Sequence, residues 1–130
     1  MKLVVSFLFG LVAEIATGLV IGAGMAITYG RAMPSGAAEL PSWVPVVATV
    51  GGFLFTFVLA RWRVARQPSA PMVHALLVAA GAIALHLATS LGAARPFTMA
   101  HVVADVAKLA AGALAGVWQT RRTTAAVGQT

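Results

Sequence analysis

The stretch Leu3–Tyr29, LVVSFLFGLVAEIATGLVIGAGMAITY, decides the class of fold. It runs for twenty-seven residues with one charged side chain, Glu14. A membrane span needs ~20 mostly apolar residues, so this segment is long enough to cross. Lys2 ahead of an apolar run also resembles the start of a signal peptide. The run, however, goes far past the ~7–15 residues of a signal core, so it reads as a retained transmembrane helix. Glu14 is then the anomaly. An ionisable group near a bilayer centre costs from ~3 kcal/mol upward and normally faces protein or a water-filled cavity.

Working outward, three more stretches qualify as spans: about Trp43–Ala60, Pro71–Leu91 and Phe97–Trp118. The connections carry the breakers. Gly30–Ser42 contains Pro34, Gly36 and Pro41, Arg61–Ala70 contains three arginines and Pro68, and Gly92–Pro96 is a short turn. Gln119–Thr130 reads as a polar tail. Pro71 and the Arg95–Pro96 pair suit helix starts, because proline lacks the amide hydrogen that a first turn leaves unused. The expected architecture is one all-α domain, a four-transmembrane-helix bundle.

Composition agrees. Hydrophobic residues form 60% of the 130 and charged residues 9%, against roughly 25% charged in a soluble domain. A soluble protein could not cover its surface with so few charges. The net charge of +6 does not indicate nucleic acid, because the basic residues lie in the connections rather than in one patch. With no cysteine, disulfides, thiolate catalysis and zinc–cysteine sites are excluded.

With four spans, Lys2, Arg61, Arg63, Arg66, Arg121 and Arg122 fall on one side, and Arg31 and Arg95 on the other. This bias places both termini in the cytoplasm. Tyr29, Trp43 and Phe97 would mark the outer interface, Trp62 and Trp118 the inner one. The expected location is the bacterial inner membrane. Arg61, Arg63 and Arg66 set this topology and suit anionic lipid headgroups. His74, beside Pro71, reads as an inner-interface residue.

The other charges inside spans are Asp105 and Lys108. Glu14 lies eleven residues beyond Leu3, and Lys108 eleven beyond Phe97. Each is therefore roughly 16 Å from its own face, near mid-membrane. An acid and a base at one depth on antiparallel helices could neutralise each other. His101, Asp105, Lys108 and Gly112 share one face of the fourth span. His86, near the end of the third, should lie level with His101. The expected stack runs from His86 and His101 through Asp105 to Lys108 and Glu14. Gly10, Glu14, Gly18 and Gly22 form a ridge on the first span, and Lys108, Gly112 and Gly116 another on the fourth. Small ridges permit close approach, and both are expected at one shared interface.

Residues Leu11–Gly18, LVAEIATG, resemble the first helix of the small multidrug resistance transporters. The resemblance implies that Glu14 matches the family's proton-exchanging membrane glutamate. It covers about twenty residues. The family's aromatic substrate-stacking positions are not recognisable, Asp105 and Lys108 have no counterpart in it, and its loop charges are more balanced.

Two functions follow from these residues. One is a transport or channel-type protein, completed by a homo-oligomer, with Glu14 as the proton- or ion-responsive acid, Asp105 and Lys108 setting its field and His86 with His101 as an outer relay. The other is an accessory subunit or assembly factor of a larger membrane complex, in which the charges fix helix register. Haem or metal ligation through His86 and His101, with Asp105 as a third ligand, is a further alternative. No nucleophile–base arrangement argues for an enzyme, and the expected partners are membrane lipid and protein, not nucleic acid.

Overall fold

The computed structural model describes residues 1–30, 40–93 and 96–127. The expectations placed on Arg31, Pro34, Gly36 and Arg95 lie outside the described residues. Four helices follow one another: α1 (Lys2–Tyr29), α2 (Trp43–Arg66), α3 (Pro71–Gly92) and α4 (Met99–Val127). Each is long and apolar enough to cross a membrane.

The helix ends have local causes. α1 stops at Gly30, whose φ of 56° is open to glycine at little cost. α3 begins with Pro71 in its first turn. α2 does not stop at Ala60 but runs on to Arg66, so the three arginines belong to its last turns. Arginine is a good helix former, cations suit a helix C-terminus, and the end falls two residues before Pro68. α4 runs on past Trp118 to Val127, since no proline or glycine intervenes; the Thr120 hydroxyl donates to the Gly116 carbonyl and that of Thr124 to Thr120.

α4 starts at Met99 rather than at Pro96. The Thr98 backbone N–H donates to Nδ1 of His101 at 3.1 Å. His101 thus reaches back to the residue before the helix, as a glutamate does in a capping box.

The four helices form a square. α1 packs on α2 and α3, α4 packs on α2 and α3, and α2 also touches α3 across one diagonal. Among the described residues α1 and α4 make no backbone approach across the other diagonal. Hydrogen bonds from α2 to α1 and between α1 and α3 bring the start of α1, the end of α2 and the start of α3 to one end of the square. The stacking of Arg61 on Trp118 adds the end of α4. This is the basic end; His86 and His101 lie toward the other.

The interior is built from small residues. Ala60, Val64, Ala75, Val78 and Ala115 form the apolar core, with Phe9, Phe57 and Leu59 against it. The larger aliphatics point outward, among them Leu8, Val12, Ile15, Leu54 and Val58. A surface of this kind suits a lipid solvent, whereas water would leave it a very large exposed apolar patch.

The glycine ridges do not meet each other. Gly10 lies against Val78, Gly81 and Ala82 of α3, while Gly112 lies against Ala75 and Ala79 and Gly116 against Met72, also of α3. Gly18 and Gly22 face open space. The expected shared α1–α4 interface is therefore replaced by α3, which takes both helices on its own small residues. The reason is the square itself, which sets α1 and α4 on the open diagonal.

Candidate functional site

Into that diagonal reaches Lys108. Among the described residues it is the largest fully buried side chain, 1% exposed. Its stem lies over Gly52 of α2, where an added Cβ would sit 2.9 Å from Lys108 Cε. A side chain at this position would make the lysine stem shift. At its far end Nζ stands 2.7 Å from Glu14 Oε2 and 3.5 Å from Asp105 Oδ1. The Glu14 contact is a charge contact off the hydrogen-bonding angle, since Oε2 has no hydrogen-bond partner. At 2.7 Å the attraction between the two charges acts in any orientation.

Asp105 is shared. The same Oδ1 that faces Lys108 lies 2.6 Å from His86 Nδ1. At this distance one proton lies between the two atoms, donated either by the imidazole to a carboxylate or by a carboxylic acid to the imidazole. His86 in turn stacks on His101, with ring centroids 5.4 Å apart and planes 21° from parallel. His101 also stacks on Phe97 at 5.2 Å. Its Nδ1, accepting from Thr98, leaves the ring proton of the neutral form on Nε2.

The structure thus brings all five candidates into one chain of contacts, His101–His86–Asp105–Lys108–Glu14. Acid and base alternate from His86 onward. Two carboxylates face one ammonium, and the second of them, Asp105, is also held by His86. A fully paired group of this kind is far less costly in an apolar interior than an isolated charge.

Haem or metal ligation is not what this arrangement favours. Among the described residues no three His, Asp or Glu side chains converge where an ion could sit. His86 and His101 present ring faces to each other, and Asp105 is held by His86 and Lys108.

Thr56, fully buried one turn from Gly52 on α2, has an unpartnered hydroxyl. Below it, toward the basic end, the apolar core closes the bundle. Beyond the core lies a second polar cluster that the sequence reading missed. Arg63, 8% exposed, turns inward while Arg61 and Arg66 stay outside. Its Nε donates to Ser6 Oγ at 3.0 Å and its Nη2 to the Lys2 carbonyl at 2.8 Å. His74, also buried, has Nδ1 2.8 Å from the same Ser6 Oγ. A signal was available: Gly52, Thr56, Ala60 and Arg63 are spaced four, four and three apart, the inward stripe of α2. Outside, Arg66 lies over the Trp62 ring at 3.7 Å, while Arg61 and Arg122 flank Trp118 at 5.2 and 5.4 Å.

No family model, curated protein or solved structure matches the chain.

Proposed function

We propose that the protein is an integral membrane protein of transport or channel type, with a proton- or ion-responsive site at Glu14, Asp105 and Lys108. Both termini face the cytoplasm in this reading, as the six basic residues of the basic end favour, and the membrane is the bacterial inner membrane. His101 and His86 connect the site to the outer side. The observation that carries the proposal is the unbroken chain of ionisable contacts from His101 to Glu14. A pair that only fixed helix register would need Glu14 and Lys108 alone. The chain stops at the apolar core, about 12 Å along α1 before Ser6, so passage requires the core to part. Homo-oligomerisation has a free surface in the open Gly18–Gly22 ridge.

The test is flux in proteoliposomes made from the purified protein alone. The wild type should show pH-dependent proton or cation flux above that of empty vesicles, and Glu14→Gln should abolish it. Flux equal to that of empty vesicles sinks the reading.

The second reading, an accessory subunit or assembly factor, is favoured by the sealing core and by the internal pairing of Lys108. A stoichiometric larger partner retained in mild detergent supports it; an isolated homo-oligomer supports transport.

A further inference from the structure

The cluster at Arg63 lies outside the charged chain and has a charge problem of its own. The residue is more than nine-tenths buried and makes no ion pair among the described residues. Its two bonds go to neutral oxygens, Ser6 Oγ and the Lys2 carbonyl. The nearest acid along α1 is Glu14, about 12 Å away from Ser6 and already held by Lys108. Lys2 lies within electrostatic reach of His74, as Arg63 does. Two parallel helices, α1 and α3, begin here, and neither has a side-chain cap or an acid in its first turn. Their unpaired N–H groups add partial positive charge at the same end.

A buried cation without a counter-charge costs several kcal/mol, and nothing described on this chain supplies the counter-charge. Donors remain to meet one from outside. Arg63 Nη1 and His74 Nε2, the latter a donor in the tautomer whose Nδ1 accepts from Ser6, make no hydrogen bond to the described residues, and neither is sealed from the surface. A guanidinium bonded to the backbone of a lysine, whose own side chain is exposed and flexible, suits a tetrahedral oxyanion.

We propose that Arg63, Lys2 and His74 form a binding site for a phosphate group at the basic end of the bundle. The phosphate is that of an anionic phospholipid or of a soluble phosphate. This site differs from the exposed surface around Arg61 and Arg66, whose guanidiniums lie over tryptophan rings.

The experiment is native mass spectrometry, with thermal melting, on full-length protein stripped of lipid in detergent. Dioleoyl-phosphatidylglycerol, dioleoyl-phosphatidylcholine and inorganic phosphate are added separately. The expected result is one retained phosphatidylglycerol per chain with a raised melting point, and no such effect of phosphatidylcholine. If inorganic phosphate alone gives the stabilisation, the site is assigned to a soluble source. Arg63→Gln should weaken binding roughly tenfold or more, while Arg61→Gln with Arg66→Gln leaves it unchanged. Should Arg63→Gln fail to fold, Lys2→Gln, at an exposed position, carries the test with a roughly fivefold loss expected. The proposal is overturned by any of three results. The wild type responds to neither anion; binding is lost with Arg61 and Arg66 but kept without Arg63; or, where Arg63→Gln is unusable, Lys2→Gln changes nothing.

Discussion

Lys108 is held between two carboxylates in a bundle whose interior is built mainly from small residues, and its neighbours differ in how much they depend on it. Removing one member of a buried pair leaves the rest uncompensated, which typically costs about 3–5 kcal/mol. Lys108→Met should destabilise the protein by that order, since Glu14 and Asp105 would then face each other without the intervening ammonium. Glu14→Gln combined with Lys108→Met should recover most of the loss. Denaturation midpoints of the two variants in one detergent check this, and a mild effect of Lys108→Met alone would show that the pair is not enclosed. Gly52 follows the same logic at one remove. Gly52→Val fills the path of the lysine stem and should cost about 1–3 kcal/mol. Displacement of Nζ from Glu14 should then appear as an altered lysine signal in NMR of the labelled protein.

At the scale of the helices, small residues decide who packs on whom. α3 presents Ala75, Ala79 and Gly81, so α1 and α4 both close on it. Gly10→Leu and Gly81→Leu should therefore unfold or loosen the chain, because each side chain would meet backbone. Gly18→Leu and Gly22→Leu should leave the fold of one chain intact. Melting curves of the four variants separate the pairs, and equal sensitivity at Gly10 and Gly18 would remove the packing scheme. This is also where sequence reading reached its limit. Span positions, the common depth of Glu14 and Lys108, and the level of the two histidines all follow from counting residues along helices. Which helices sit on the diagonal does not. A helix that is apolar on most sides offers weak directional signal, so the ridges of α1 and α4 looked equally fit to meet each other. Arg63 was hidden for a related reason: beside Arg61 and Arg66 it reads as a topology charge, and only the Gly52–Thr56–Ala60 stripe turns it inward.

The whole molecule is a square of four helices with a charged diagonal, an apolar seal and a basic end. If each helix crosses a membrane, the loops alternate. Cysteines introduced by Ser69→Cys and Leu40→Cys should be labelled from opposite faces by an impermeant reagent, Leu40→Cys from outside. Labelling of both from one face would overturn the four-span topology. The transport reading makes a sharper demand, because it asks more of Glu14 than pairing. The deciding measurement is flux in proteoliposomes for wild type, Glu14→Gln, and Glu14→Gln with Lys108→Met, with folding of each confirmed by melting. The account predicts pH-dependent flux in the wild type alone, and none in the double variant although its charge balance and fold are restored. Flux in the double variant equal to that of the wild type would contradict it, and would reduce the charged diagonal to a device for holding helices in register.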